Sequence, residues 1–499
     1  MTFDKFHCTI GPLTPASLIM LCLLTSGCRI GPTYRLPTVP TAPAYKELDT
    51  STWKTANPND AAVRGKWWES FQDPQLNALE DRIDVGNQNI AAAAGNYATA
   101  RAVVRETRSQ YFPTLTTTPS ITNMRVPVTP YVPGFTGTTY TDYSFPLTAS
   151  WAPDLWGRVR KTVQAKEYTA QSDAADLENV RLLAHADLAA DYFQLRGVEA
   201  QKELLDATIV AWQKYLDLTR ALYKSGLDAD EALAAAESQL EAAQAQDTNL
   251  GISRAQYEHA IAILLGQSPS AFAIPAGTKE IHVPEIPVGI PAELLQRRPD
   301  IAGAERAMAA ANAQIGVAKT AYFPNIVLSA TGGFESLSFA DWFAWPSRFW
   351  SIGPSAAETI FDAGLRKATV SQYRALYDES VANYRQTALT AFQQVEDNLA
   401  GLRILSQDLQ QQDAAVQSAR RYLTQATTRN VAGLDPYLNV LTAQVSLLVY
   451  QETYVTFQTQ QRITSVQLIE ALGGGWNTSQ LPSPKQVSLQ PSNPSPKAE

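Results

Sequence analysis

Four long stretches of the chain have a helical pattern of apolar and polar positions, and four shorter stretches are rich in β-branched and aromatic residues. The first pattern predicts helices and the second predicts strands. The helices are predicted over residues 74–110, 157–224, 291–321 and 363–428. The strands are predicted over residues 114–125, 140–151, 325–335 and 349–360. Two of the helices would be roughly 100 Å long, which exceeds the size of an ordinary compact domain.

The helix over residues 363–428 shows the pattern in detail. Its apolar positions recur at steps of three and four: Val370, Tyr373, Tyr377, Val381, Tyr384, Ala388, Phe392, Val395, Leu399 and Leu402. Glutamines and charged residues occupy the opposite side. The apolar stripe predicts a seam against other helices, and the polar side predicts contact with water.

The same order of elements occurs twice along the chain. Prolines that stop a helix follow Tyr-Phe at 111–113 and again at 322–324. The segment 154–158 corresponds to 362–366, and the helix-ending glycines Gly226 and Gly266 correspond to Gly433 and Gly473. All four correspondences have separations of about 207 to 211 residues. The sequence therefore indicates a tandem duplication.

Each long helix is followed by a short turn that contains Gly-Leu-Asp. The first turn has Gly226, Leu227 and Asp228, and the second has Gly433, Leu434 and Asp435. Glycine can take the left-handed conformation that ends a helix, and aspartate can cap the next helix. Both turns are therefore predicted to be tight helical hairpins with the aspartates as caps.

The N-terminus has the features of an export signal. Lys5 precedes an apolar stretch over 16–24, and small residues lead to Cys28. The apolar stretch is about half of the ~20 residues that a membrane-spanning helix needs. The segment before Cys28 resembles a bacterial lipoprotein box, although Thr25 stands where leucine is usual. We expect lipidation of Cys28; the alternative is a simple secretory signal with an incidental thiol.

Charge and composition exclude several kinds of protein. The chain of 499 residues has a net charge of −8 and scattered Lys and Arg, which argues against nucleic-acid binding. Its histidines are far apart, so no metal site is expected. It has no glycine-rich phosphate loop, nucleophile elbow or paired-carboxylate motif, so we expect neither an enzyme nor a cofactor.

The predicted strands suggest a shared membrane barrel. Backbone polar groups in lipid must be paired, so membrane strands have to close into a barrel. Four strands are too few, since single-chain barrels start at about eight. Three copies would supply twelve strands. Aromatic residues cluster in both strand pairs, as in a membrane girdle, and the loops 126–139 and 336–347 are expected to face outside.

One segment in the middle of the chain identifies a family. The segment from Ile286 through Leu294-Leu295-Gln296-Arg297-Arg298-Pro299-Asp300-Ile301 resembles the signature of the TolC-like outer-membrane efflux proteins, in the NodT-type lipoprotein branch of RND efflux systems. The stretches 28–34, 154–158 and 321–324 are similar to the same branch. The resemblance covers nearly the whole mature chain.

The resemblance implies a fold of mixed α/β class in the membrane. Three protomers form a twelve-stranded β-barrel continued by a twelve-helix α-barrel, with four strands and two long plus four shorter helices per protomer, and with an equatorial domain. The expected divisions are a signal peptide over 1–27, an N-terminal equatorial segment over 28–73, a first repeat over 74–266, an equatorial linker over 267–290, a second repeat over 291–473, and a C-terminal equatorial segment with a flexible tail over 474–499.

The resemblance also implies a function. The chain would be the outer-membrane duct of a tripartite efflux system, as a homotrimer with a periplasmic adaptor, an inner-membrane pump and outer-membrane lipid as partners. The two turns would form the periplasmic tip, with adaptor contact at Gly226, Leu227, Gly433 and Leu434. The candidate gate residues are Asp228, Asp435, Arg220 and Arg429. The alternatives are a duct for protein secretion and, in another class, a periplasmic adaptor.

Overall fold

The computed structural model describes residues 30–47, 65–127, 137–227, 229–277, 282–284, 286, 288 and 291–489. The first repeat contains α1 (Pro74–Gly86), α2 (Gln88–Ser109), β1 (Thr114–Thr117), β2 (Ser120–Val126), β3 (Thr138–Trp151), α3 (Arg158–Lys224) and α4 (Asp230–Leu264). The second contains α5 (Pro291–Arg297), α6 (Pro299–Thr320), β4 (Asn325–Ser336), β5 (Arg348–Ala357), α7 (Leu365–Val431) and α8 (Tyr437–Ala471). A short α9 (Pro484–Ser488) follows, and four short 3₁₀ turns complete the elements of the described residues.

The strands form one antiparallel sheet. The order is β1, β3, β4, β5, and β2 also pairs with β3. Thr117 lies opposite Leu147 and Ser120 opposite Ser144, so β1 and β2 keep the same register on β3. They are therefore one strand interrupted at Pro119, which has no N–H for the ladder.

The two faces of this sheet differ in polarity. Directly paired residues of antiparallel strands point to the same face, and neighbours along a strand alternate. One face carries Leu115, Ile121, Tyr143, Phe145, Leu147, Trp151, Leu328, Phe334, Trp350 and Ile352. The other carries mainly hydroxyl side chains, and the hydroxyls of Thr148 and Thr331 lie 3.2 Å apart across β3 and β4. The sheet is thus apolar on one side and polar on the other.

The helices form four parallel columns. The helices α3 and α7 have 67 residues each, which is roughly 100 Å of continuous helix. The other two columns are stacked from two helices each. The Asn87 side chain at the start of α2 donates to the carbonyl of Leu264 at the end of α4 (2.9 Å). Arg298, before α6, donates to the carbonyl of Ala471 at the end of α8 (3.0 Å).

The core is largest where these stacked helices meet. Trp67, Phe71, Leu76, Ile83, Tyr192, Phe193, Leu195, Ile261, Leu468 and Ile469 are all buried in one cluster there. Phe71 packs on Phe193 with ring centroids 4.9 Å apart. Because this cluster joins α1, α3, α4 and α8, it holds the half of the helical bundle nearer the sheet to the half that is farther from it.

The helix count differs from the expectation of four shorter helices. Each predicted N-terminal helix of a repeat is broken, and the described residues contain seven helices shorter than α3 and α7. Asn87 interrupts the first because its side chain accepts from the N–H groups of Asn89 and Ile90 as an N-cap. Pro299 interrupts the second because proline disfavours helical geometry at Arg298. No helix in the described part is long and apolar enough to cross a membrane.

Candidate functional site

The two Gly-Leu turns lie at the end of the bundle farthest from the sheet. Gly226 has φ 72° and Gly433 has φ 68°, which is the left-handed conformation. The Gly226 N–H donates to the carbonyl of Tyr223, and the Leu227 N–H donates to that of Leu222. The same pair of bonds occurs around Gly433. These are Schellman motifs, so the predicted helical hairpins are confirmed in their geometry.

Apolar side chains project from both turns. Leu227 is 78% exposed, Val431 is 83% exposed and Leu434 is 68% exposed. The Schellman geometry fixes the backbone beneath them, so these side chains are presented on rigid turns. Exposed apolar residues grouped in this way are typical of a surface that binds another protein.

A salt bridge closes the second turn. The Arg429 guanidinium donates from Nε and Nη2 to both carboxylate oxygens of Asp435, at 2.5 and 3.1 Å. The hydrogen bond from Arg429 lowers the pKa of Asp435, so this carboxyl stays charged. The Asn430 amide also donates to the Asp435 carbonyl (3.0 Å). The turn is therefore held by side chains as well as by the backbone.

The predicted capping role of Asp435 is wrong. The N-cap of α8 is Pro436, and no side chain caps the helix there. Asp435 lies one position earlier, where its carboxylate reaches Arg429. In the first turn, Arg220 instead binds Glu237 of α4 (3.0 Å). Asp228 and Cys28 lie outside the described residues.

Aromatic and amide side chains join the first hairpin to the second, a contact that was not predicted from the sequence. The rings of Tyr215 on α3 and Tyr437 on α8 stack in parallel. The indole N–H of Trp212 donates to the side-chain oxygen of Gln444 (2.9 Å), which also accepts from the Tyr437 hydroxyl. These residues lie on α3 and α8, and the packing of the two helices brings them together.

A buried ionisable pair lies beside Trp68, in the core where the stacked helices meet. The ring nitrogen Nδ1 of His185 is 2.7 Å from the carboxylate of Glu80, and both residues are buried. The Trp68 ring stacks on His185 at 4.4 Å. Burial raises the pKa of Glu80 to about 7, although the hydrogen bond from His185 opposes this. The sequence analysis did not identify this pair because its members are 105 positions apart in the chain.

Comparison with known proteins gives consistent matches over most of the chain. The family model for outer membrane efflux proteins matches residues 81–267 and 290–474. The toluene efflux pump outer membrane protein TtgC of Pseudomonas putida is 32% identical over 477 residues, 95% of this chain and 98% of TtgC.

Two solved structures have the same fold. The outer-membrane channel OprN superimposes with a TM-score of 0.82 at 28% identity, over 90% of this chain and 100% of OprN. The open state of the MtrE outer membrane channel of Neisseria gonorrhoeae superimposes with a TM-score of 0.79 at 26% identity, over 90% of this chain and 99% of MtrE.

An amphipathic sheet carried on a bundle of very long helices is the architecture of an outer-membrane channel. The chain belongs to the outer membrane efflux protein family. Its location is therefore the outer membrane and its role is efflux. This membership sets aside the alternative that it is a periplasmic adaptor.

Proposed function

We propose that three copies of this chain form one passive duct, which is the outer-membrane exit of a tripartite efflux pump for small molecules. The duct combines a twelve-stranded β-barrel with an α-barrel of twelve helical columns. TtgC, the relative named above, is a component of a toluene efflux pump, which supports a small-molecule cargo over a protein cargo.

The observation that carries this proposal is the sheet. In the described part of the chain, β1 with β2 forms one edge and β5 forms the other. Unpaired edges are costly in lipid, so each edge needs a strand from a neighbouring copy. The apolar face would then contact lipid and the hydroxyl-rich face would line the channel. The 14 residues of β3 and 12 of β4 are long enough to cross the membrane when tilted.

The helices extend the channel away from the membrane. Each protomer supplies the two 67-residue helices and the two stacked columns, so three protomers supply twelve columns. We infer that the chain is divided into two repeats over 74–266 and 291–473, an equatorial linker over 267–290, and equatorial end segments over 28–73 and 474–499. We further infer that lipid on Cys28 anchors the mature N-terminus in the outer membrane.

The tip is proposed to contact a periplasmic adaptor, which links the duct to an inner-membrane pump. Gly226 and Gly433 shape the turns, and Leu227 and Leu434 present apolar surface on them. The gate is proposed to involve Asp435 with Arg429, and Asp228 with Arg220, because copies of these charges would come close together when the tip narrows.

The trimer is tested by native mass spectrometry of the detergent-solubilised protein. A three-fold complex with conductance in a planar bilayer is expected. A stable monomer that keeps its strand signal in circular dichroism would contradict the shared barrel.

Adaptor contact is tested in cells with the double variant Leu227→Asp and Leu434→Asp. We expect it to lose toluene or antibiotic resistance and adaptor crosslinking while it keeps the trimer and its conductance. The matched control is Val85→Asp, since Val85 is 91% exposed and lies far from the tip on α1. Equal loss of resistance in both would contradict a specific role of the turns.

A further inference from the structure

The connection between β4 and β5, residues 337–347, is unusually aromatic for a loop at the end of a sheet. It contains Phe339, Trp342, Phe343 and Trp345 with Asp341 as its one charged residue. A loop surrounded by water would be expected to be polar and rich in charge. The composition suggests that this connection lies in a different environment.

The connection folds back on the apolar face of the sheet. Phe339 and Trp342 contact the Tyr143 ring at centroid distances of 5.6 and 5.5 Å. Phe343 contacts Phe145 at 5.8 Å and Phe334 at 5.7 Å. Phe145 and Phe334 are direct partners in the sheet, so these contacts all lie on one face.

The opposite face carries Ser144, Thr148 and Thr331, which pair in register with other polar residues. Phe339, Trp342 and Phe343 contact rings of the described strands, and all of these contacts are on the apolar side. If the hydroxyl-rich face lines the channel, the connection lies on the outer wall of the barrel and does not cover its mouth.

The backbone of the connection is paired within itself. The Ala344 N–H donates to the Asp341 carbonyl and the Ser347 N–H donates to the Ala344 carbonyl, both at 3.0 Å. The Ser347 hydroxyl donates to the Asp341 carbonyl (2.7 Å). Internal pairing of this kind lowers the cost of placing a loop at a lipid boundary.

Apolar surface remains exposed on the outside of the connection and on the strand beside it. Phe339 is 69% exposed, Phe343 is 60% exposed and Trp345 is 71% exposed, and Trp350 and Ile352 on β5 continue the same surface. The Arg348 guanidinium lies over the Trp345 ring at 3.9 Å. A cation is thereby held beside an apolar patch, as at the boundary between acyl chains and anionic headgroups.

We propose that residues 337–347 form an aromatic collar that inserts into the outer leaflet of the membrane, with Arg348 placed to bind the anionic headgroups of that leaflet. The occupant of this surface is lipid. The proposal rests on the barrel under Proposed function, since that barrel makes the apolar face of the sheet its outer wall.

Nitroxide labels at single cysteines test the position of the collar in vesicles. The labelled variants are Phe343→Cys in the collar, Ile352→Cys on the apolar face of β5 and Ser351→Cys on its polar face, each in a Cys28→Ala background. Collision with oxygen reports lipid, and collision with a water-soluble nickel complex reports water. The ratio of oxygen to nickel collision at Phe343 is expected to match that at Ile352 and to exceed that at Ser351 several-fold.

The three labels test the collar and the barrel independently. A ratio at Phe343 that matches Ser351, while Ile352 remains in lipid, would overturn the collar and leave the barrel standing. Equal ratios at Ile352 and Ser351 would overturn the barrel and the collar with it.

The role of Arg348 is tested by changing the charge of the vesicle lipids. The Phe343 label is compared between vesicles of phosphatidylcholine alone and vesicles with equal parts of phosphatidylglycerol. The ratio of oxygen to nickel collision at the Phe343 label is expected to be several-fold higher in the anionic vesicles. Arg348→Gln should abolish this difference, whereas Arg348→Lys should retain part of it. The same ratio in both vesicles with Arg348 present would contradict headgroup binding.

Discussion

Glu80 is a buried carboxyl that contacts His185 in the core where the stacked helices meet. Burial raises the pKa of Glu80 to about 7 from an ordinary value of 4.5. The other charged groups in the cleft beside Trp68 are Lys66, Asp81, Asp84, Glu178 and Arg181. Between about pH 4.5 and pH 7 the folded protein binds more protons at Glu80 than the unfolded chain does. The contribution of Glu80 to stability is therefore present at low pH and is lost as the pH rises through about 7.

The substitution Glu80→Gln tests this contribution. The stability of the unchanged protein relative to the variant should fall as the pH rises from about 5 to about 8. The decrease should approach roughly 1.4 kcal/mol per pH unit in the steepest part. Thermal unfolding followed by circular dichroism over this range measures it. A difference between the two proteins that does not change with pH would contradict the assignment.

The salt bridge between Arg429 and Asp435 gives a prediction about the gate. Loss of the guanidinium leaves Asp435 charged without its partner, so copies of this carboxylate repel when the tip narrows. Arg429→Ala combined with Arg220→Ala should raise single-channel conductance in a planar bilayer. Asp435→Ala should reduce block by divalent cations added on the periplasmic side.

The control for these variants is Arg421→Ala, because Arg421 lies on the same helix two turns earlier and binds Ser418 at the surface. Its conductance should equal that of the unchanged channel. Unchanged conductance and unchanged cation block in all the tip variants would reject the gate role of these residues.

Glycine positions could be predicted from the sequence more reliably than aspartate roles. Gly226 and Gly433 have the predicted left-handed conformation because the end of a helix followed by a tight turn allows few alternatives. Asp435 could either cap α8 or bind a cation. The choice depended on where Arg429 lies after the helix turns back, which spacing alone does not specify.

At the scale of elements, the sequence predicted the long helices and strands closely but not the breaks within helices. The predicted helix over 157–224 is observed as Arg158–Lys224, and the predicted strand over 140–151 as Thr138–Trp151. The break at Asn87 has no proline to mark it. The break depends on the N-cap hydrogen bonds of Asn87 and on its hydrogen bond to the Leu264 carbonyl at the end of α4. The second of these joins distant parts of the chain.

The joint between α8 and α6 requires Gly473. This residue has φ 92°, and a Cβ there would overlap the carbonyl of Arg297. Gly473→Ala should therefore destabilise the protein by at least about 1 to 2 kcal/mol, measured by thermal unfolding. The control Gly95→Ala adds a methyl group to open space within α2 and should be neutral or stabilising by up to about 1 kcal/mol. Equal stability of the two variants would contradict the close approach at the joint.

At the scale of the molecule, the tandem duplication was the sequence feature that was most informative about the architecture. Two copies with one order of elements predicted four strands, because each element has a counterpart, whereas the four columns of helix were implied by the family resemblance. The contacts between copies could not be predicted in the same way. The helices α2 and α4 both pack against α3, and α6 and α8 pack against both α3 and α7, so the stacking of α2 on α4 and of α6 on α8 follows from this packing and has no separate sequence signal.

The lipid on Cys28 is predicted to assist anchoring and not assembly. One acyl-anchored residue adds a reversible membrane contribution, whereas the strands themselves insert and pair. Cys28→Ala should still yield trimers in native mass spectrometry. Mass analysis of the mature N-terminus of the unchanged protein checks the modification. An unmodified Cys28, or cleavage at another position, would contradict the lipoprotein assignment.

The contacts between the stacked helices, α2 on α4 and α6 on α8, also affect how mechanical tension is transmitted along the molecule. A pull on the tip toward the inner membrane is carried through the unbroken backbone hydrogen bonds of α3 and α7. The backbone of the stacked columns is not continuous, and their helices meet through side-chain contacts such as those of Asn87 and Arg298 and through the buried cluster around Phe71 and Ile261. Tension along α3 and α7 therefore passes through continuous helix, whereas tension along the stacked columns has to pass through side-chain packing between separate helices.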